Sequence, residues 1–144
     1  MKERIVIDTN VIISSLIQSS YPYLIVFHFV IDDKVEFCLS DQLIEEYYDV
    51  LRRPKFARYP DFLSRAESLL IDLESKASFF NPSIQLDILD DKDDNMLLEL
   101  ADCCKADYII TGNTNDFRIK SFHQTKILTP KEFWDIALSK YDIA

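Results

Sequence analysis

The chain of 144 residues has one glycine, three cysteines and two histidines, and each shortage excludes a class of site. Glycine-rich loops that bind nucleotide phosphates need several glycines where the backbone approaches the phosphate, and Gly112 stands alone. The two histidines, and cysteines without a CxxC pair, do not form the ligand pattern of a zinc site. An odd cysteine count with two neighbours in sequence does not predict a disulfide framework, which suits a reducing cytoplasm.

Long apolar runs and targeting signals are also lacking. The longest apolar stretch, residues 23–31, is too short to span a bilayer, and the first residues do not have the pattern of a signal peptide. No linker-like, low-complexity or repeated segment interrupts the chain. We therefore expect a single domain over residues 1–144, in the cytoplasm and without a membrane partner.

The charge is strongly acidic, with 25 Asp and Glu against 16 Lys and Arg, a net charge of −9. Such a balance argues against nucleic-acid binding, because proteins that bind phosphates usually carry a basic footprint. That argument does not hold where the acids are concentrated to bind cations. Whether nucleic-acid binding is compatible with this charge therefore depends on where the acids lie in the fold.

Short apolar runs of strand length alternate with helical patterns. The strand-like runs cover residues 4–8, 35–39, 108–111 and 126–128. Helical spacing of apolar residues is found at 43–51 after the cap Ser40, at 62–77, at 94–104, and after the capping box of Thr129 and Glu132. The segment 23–31 is ambiguous, since its periodicity fits a strand or a helix, and its length favours a helix. This alternation predicts an α/β fold with a central parallel sheet.

Polar residues follow two of the strand-like runs directly. Asp8, Thr9 and Asn10 follow the first run, while Thr111 and Asn113 end or follow the run at 108–111. In an open parallel sheet, ligands bind outside the carboxyl ends of the strands. We expect these side chains to lie at one edge.

Two helices are predicted to add carboxylates there. Glu46 borders the apolar stripe of its helix, whereas Glu45 lies on the polar face. Asp94 lies on the buried stripe at the start of its helix, and its acidic neighbours, including Asp93, are expected to be solvated. Each of these acids alone is more often a helix cap or a surface residue than a ligand.

Several carboxylates held together without Lys or Arg repel one another, so such a cluster persists only if a cation neutralises it. Mg²⁺ or Mn²⁺ fits oxygen ligands best, and one or two such ions predict phosphoryl hydrolysis. The one dense basic patch consists of Arg52, Arg53, Lys55 and Arg58. It is either a track for RNA phosphates or a solvated helix end.

At these residues the chain resembles PIN-domain proteins, of the bacterial VapC-like subgroup described as toxins of type II toxin–antitoxin systems. The matching segments, in order along nearly the whole chain, are IVIDTNV at 5–11, VLRRPKF at 50–56, DKDDN at 91–95, ADYIITGN at 106–113 and ILTPKEF at 127–133. None of these motifs is specific alone, but together they are strong evidence for the resemblance.

The resemblance implies a three-layer α/β/α fold with a parallel sheet of four to five strands. It also implies a Mg²⁺- or Mn²⁺-dependent endoribonuclease of single-stranded RNA, with Asp8, Glu46 and Asp94 as the metal-binding and catalytic acids. Many relatives have Asp where Asn113 stands, and Asp116 is the candidate for the missing fourth acid. Thr9, Asn10, Thr111 and Asn113 are candidates for orienting water or phosphate. Related toxins dimerise and bind a small antitoxin protein.

Two other functions are weighed against this one. A PIN-like module with weak or no catalysis, acting by protein or RNA binding, is supported by Asn113. A small-molecule phosphatase or phosphoacceptor domain would have Asp-x-Asp after the first strand, whereas this chain has Asp8-Thr9-Asn10, so it ranks last.

Overall fold

In a computed structural model, the structure describes residues 2–141, apart from the side chains of Asn115 and Asp116. Within these residues the strands are β1 Arg4–Ile7, β2 Glu36–Leu39, β3 Ser78–Phe79, β4 Tyr108–Ile110, β5 Ser121–Phe122 and β6 Thr125–Leu128. The helices are α1 Thr9–Ile17, α2 Tyr21–Ile25, α3 Asp41–Leu51, α4 Phe62–Lys76, α5 Lys92–Cys104, α6 Thr114–Phe117 and α7 Pro130–Lys140. A π-helical segment, Val26–Val30, continues α2, and a 3₁₀ turn, Pro54–Phe56, follows α3.

The strands form one six-stranded sheet in the order β3-β2-β1-β4-β6-β5. All neighbouring strands are parallel except β5 and β6, which form an antiparallel pair at one edge. Central strand β1 is completely buried from Ile5 to Ile7, as expected for a strand covered on both faces. From β1 the chain first builds β2 and β3 on one side and then crosses to β4 on the other.

The predicted α/β class and three-layer α/β/α architecture are confirmed. The sheet has six strands rather than four to five, because two-residue strands extend both edges. Such short strands leave no apolar periodicity in the sequence. The ambiguous segment 23–31 is helical, and Ser40 caps α3 by accepting a hydrogen bond from the backbone N–H of Leu43 at 3.0 Å.

No single helix among the described residues is long and apolar enough to cross a membrane. The pair Thr9–Ile17 and Tyr21–Val30 reaches that length and composition only together, and it is bent by 102° at its break.

Candidate active site

The site lies where the order of the strands reverses, at the carboxyl ends of β1 and β4. Asp8 follows β1, and its backbone N–H donates to the carbonyl of Ile110 at 2.9 Å. Between the ends of β1 and β4, the hydroxyl of Thr111 donates to the Asp8 carboxylate at 2.8 Å. These hydrogen bonds hold Asp8 in one orientation. It lies at the reversal of strand order, the position where open α/β sheets bind ligands.

Helix α3 places Glu46 beside Asp8 at this edge of the sheet. Its neighbour Tyr47 is fully buried and donates its hydroxyl to the carbonyl of Ile7, the last residue of β1. This bond fixes α3 against the end of β1. The hydroxyl of Thr9 then donates to the carboxylate of Glu46. Glu45 is exposed, so the predicted inward orientation of Glu46 rather than Glu45 is correct.

The start of α5 supplies three more carboxylates, those of Asp91, Asp93 and Asp94. Asp91 caps the helix by accepting from the backbone N–H of Asp93 at 2.7 Å. Buried Asn95 accepts from the backbone N–H of Leu89 at 2.8 Å and donates to its carbonyl at 2.8 Å, which anchors the preceding loop. Asp91, Asp93 and half-buried Asp94 all line the resulting cavity.

This cavity has a volume of about 220 Å³. The sequence predictions Asp8, Glu46 and Asp94 all line it, and Asp93 joins them. Asp93 is exposed, as the sequence pattern indicates, but its carboxyl group lies close enough to that of Glu46 to help raise the pKa of Glu46. Sequence reasoning missed this contact because the helical pattern places Asp94, not Asp93, on the buried stripe.

The acids disturb one another's ionisation. Burial raises the pKa of Glu46 to about 7, and the negative charges of Asp93 and Asp8 add to this effect, while the Thr9 hydroxyl opposes it. Burial also raises the pKa of Asp8, opposed by the hydrogen bonds from Thr111 and the backbone. These shifts have the direction expected for carboxylates that share a site without a cation.

Four residues were expected to orient water or phosphate, and they divide into two pairs. Thr9 and Thr111 are buried, and their hydroxyls are engaged with Glu46 and Asp8. They therefore position carboxylates. Asn10 and Asn113 are exposed and line the cavity, where their amides can reach a bound molecule. The side chain of Asp116 lies outside the described part of the structure.

The predicted basic patch is also divided. Arg53 and Lys55 line the acidic cavity. Arg52 pairs with Glu67 at 3.2 Å, away from the cavity lining, and Arg58 donates to a neighbouring tyrosine hydroxyl at 3.0 Å. The structure thus brings only two of the four predicted cations to the carboxylates.

The donor chemistry fits a hard divalent cation, since every acidic group at the cavity offers carboxylate oxygens, the ligands that Mg²⁺ and Mn²⁺ prefer. Within the described side chains, no group of three or more Asp, Glu, His or Cys stands in an arrangement that could hold an ion.

The PIN domain family matches residues 4–115, more than half of the chain. The chain belongs to the PIN domain family. The matched range contains Asp8, Glu46, Asp93, Asp94 and Asn113, so the carboxylate cavity lies within the PIN domain.

Two known proteins resemble this PIN domain over most of its length. It is 29% identical over 142 residues to the uncharacterized protein MJ1680 of Methanocaldococcus jannaschii, covering 92% of this chain and 90% of that protein. Its fold is similar to a chain in the crystal structure of VapBC2 from Rickettsia felis bound to a DNA fragment from their promoter. That match has a TM-score of 0.56 and 13% sequence identity, and it covers 88% of this chain and 98% of the other.

Proposed function

We propose that this PIN domain is a Mg²⁺- or Mn²⁺-dependent endoribonuclease that hydrolyses phosphodiester bonds of single-stranded RNA. The observation that carries the proposal is the convergence of Asp8, Glu46 and Asp94 on one cavity at the strand-order reversal of the sheet. PIN domains are generally nucleases, and the family match includes all three acids. The raised pKa of Glu46 agrees with a carboxylate set that needs a cation to be stable in its charged form.

Asp8, Glu46 and Asp94 would hold the ion, with one or two ions in the site, and Asp116 would add the charge that Asn113 lacks. A bound Mg²⁺ or Mn²⁺ lowers the pKa of water and stabilises charge on a scissile phosphate. The protein's own contribution is orientation: Thr111 holds Asp8, Thr9 holds Glu46, and Tyr47 fixes α3. Asn10 and Asn113 can donate hydrogen bonds to a phosphate or water at the cavity mouth.

We further propose that the protein is the toxin of a cytoplasmic toxin–antitoxin pair, acting as a homodimer whose activity a small antitoxin protein suppresses. The likeness of its fold to a chain of the VapBC2 complex supports this proposal. A short reading frame next to this one, whose product copurifies with the protein and suppresses cleavage, is the expected finding.

The test of the nuclease is cleavage of a mixed pool of single-stranded RNA by purified protein with Mg²⁺, with Mn²⁺ and with a chelator. We expect cleavage with either metal and none with the chelator, with internal cuts rather than release of single nucleotides. Cleavage that persists in the chelator would contradict a metal-dependent mechanism.

An alternative function is a PIN module with weak or no catalysis that acts by binding protein or RNA. Two observations favour it: Asn113 occupies the position of an acid, and the described side chains do not form a ready metal-binding group. This alternative predicts that RNA binds without being cut under any metal condition.

A further inference from the structure

Two cations share the cavity with the carboxylates. Arg53 follows the last turn of α3, and Lys55 lies in the 3₁₀ turn Pro54–Phe56, so both come from the segment directly after the helix that carries Glu46. Both line the same cavity as Asp8, Glu46, Asp93 and Asp94. A cavity with carboxylates and cations together can hold a metal ion and the phosphates of a polyanion at the same time.

Lys55 is held in place by an aromatic ring. Its ammonium group lies 5.2 Å from the centroid of the Phe56 ring. Phe56 is only 8% exposed, and its ring stacks on Phe62 of α4 at 4.9 Å. A cation over an anchored ring loses less side-chain freedom when it binds an anion.

Arg53 has only a weak competing partner. Its guanidinium lies 3.7 Å from the carboxylate of Asp49, whose side chain is 79% exposed. An exposed ion pair at this distance contributes little. Arg53 can therefore exchange Asp49 for a phosphate, which the planar guanidinium binds through two parallel hydrogen bonds.

The other two cations of the patch, Arg52 and Arg58, lie outside the cavity lining. Arg52 lies over the Tyr48 ring, at 4.8 Å from its centroid, and pairs with Glu67 at 3.2 Å. Arg58 lies 5.0 Å from the centroid of the Tyr59 ring and donates to its hydroxyl. Neither residue lines the carboxylate cavity.

We propose that Arg53 and Lys55 form a subsite for the RNA phosphate next to the one that is cut. The site then takes an internal segment of a polynucleotide, and a substrate with a single phosphate uses only the carboxylate side of the cavity. The inference rests on the proposed nuclease function, because it assigns the scissile phosphate to the carboxylates. It predicts that affinity depends on RNA length and on these two cations, and not on Arg52 or Arg58.

The experiment compares two double variants with equal net charge, Arg53→Gln/Lys55→Gln and Arg52→Gln/Arg58→Gln. Glutamine keeps part of the aliphatic stem, so packing over Phe56 and Tyr48 is disturbed little. Binding of a fluorescent single-stranded RNA of about ten nucleotides is measured by anisotropy in chelator over a range of salt concentrations. Thermal melts check that both variants fold as the wild-type protein does.

For Arg53→Gln/Lys55→Gln we expect about tenfold weaker RNA binding. The salt dependence should be shallower by about 0.7 in log–log slope for each RNA phosphate that the variant no longer neutralises. Arg52→Gln/Arg58→Gln should bind like the unchanged protein. In Mn²⁺, the first variant should lose kcat/KM on the long RNA through KM, and keep its kcat/KM on a dinucleotide, which has one phosphate.

Equal loss of binding in both double variants, or no loss in either, would overturn the inference. RNA binding that depends on Arg53 and Lys55 without cleavage in any metal would support the phosphate subsite while contradicting the nuclease. Cleavage that is insensitive to Arg53 and Lys55 would contradict the subsite alone. The two proposals therefore fail separately.

Discussion

The carboxyl groups of Glu46 and Asp93 line the same cavity, although one comes from α3 and the other from the start of α5, and Asp93 helps to raise the pKa of Glu46. Two carboxylates so close together are stable in their charged forms only when a cation lies between them, and otherwise one of them holds a proton. In the PIN domain a divalent ion would take that place. We therefore propose Asp93 as a further residue of the site, in addition to the four acids that the sequence predicts, Asp8, Glu46, Asp94 and Asp116.

Asp93→Asn is expected to weaken Mn²⁺ binding about 10- to 100-fold, as the loss of a partner of a metal ligand typically does. Isothermal titration calorimetry on the metal-free protein measures the Mn²⁺ affinity directly. The matched control is Asp90→Asn, which removes the same charge from an exposed residue paired with Arg118 at 3.1 Å. Equal Mn²⁺ affinity in Asp93→Asn and the unchanged protein would exclude Asp93 from the site.

The metal-free protein should lose stability as the pH rises through the range of Glu46. Burial raises the pKa of Glu46 to about 7 from an ordinary value of 4.5. Between these values the folded protein binds a proton that the unfolded chain has released, so the free energy of unfolding falls with increasing pH. In chelator, the melting temperature should fall from about pH 5 to about pH 8 more steeply in the unchanged protein than in Glu46→Gln. The exposed neighbour gives the control, because Glu45→Gln should retain the full slope.

Thr111→Val removes the hydroxyl that holds Asp8 at 2.8 Å and replaces it with a methyl group of similar volume. The backbone N–H of Asn113, which donates to this hydroxyl at 3.1 Å, also loses its partner. We expect a loss of about 1–3 kcal/mol in the free energy of unfolding, the usual effect of leaving buried polar groups unpaired, and weaker Mn²⁺ binding. Urea denaturation and calorimetry measure the two effects.

Thr125→Val is the control that separates a loss of Asp8 orientation from a general loss of protein stability. Thr125 is buried and donates to the carbonyl of Ala106 at 2.6 Å, far along the chain from the carboxylates. Thr125→Val should reduce the free energy of unfolding about as much as Thr111→Val does and leave Mn²⁺ affinity unchanged. If Thr111→Val and Thr125→Val affect Mn²⁺ binding equally, Thr111 has no special role in orienting Asp8.

Asn113 and Asp116 are expected to compensate for each other. Asn113 lines the cavity with a neutral amide, and an added carboxylate would strengthen binding of a hard cation. Asp116→Asn should reduce RNA cleavage, and Asn113→Asp in the same chain should restore it. Initial rates for the four proteins of this double-mutant cycle test the pair. Additive effects on the rate would show that the two positions act independently.

The main outline of the fold could be predicted because it depends on long periodic patterns. The apolar run of β1, the Ser40 cap of α3 and the capping box of α7, with Thr129 and Glu132 as partners, all have local physical causes that the structure confirms. The edge strands β3 and β5 have two residues each, too few to produce a pattern. They are set by pairing with a neighbouring strand, which a single sequence does not display.

The site was predictable to the extent that its residues follow strands or lie on helix faces. Asp8 and Glu46 satisfy those rules. The contact of Asp93 with Glu46 depends on the relative placement of α3 and α5, and the separation of Arg53 and Lys55 from Arg52 depends on the turn after α3. Both are tertiary relationships between segments, so spacing within one element does not reveal them.

Asp8→Asn tests the central claim most directly. Asparagine keeps an oxygen that can accept from Thr111, so the fold should be retained while the negative charge is lost. The measurement is the initial rate of single-stranded RNA cleavage in Mn²⁺, beside Asp135→Asn, an exposed control on α7. We predict a loss of about two orders of magnitude or more for Asp8→Asn and none for the control. Full activity in a correctly folded Asp8→Asn protein would contradict a nuclease centred on this cavity.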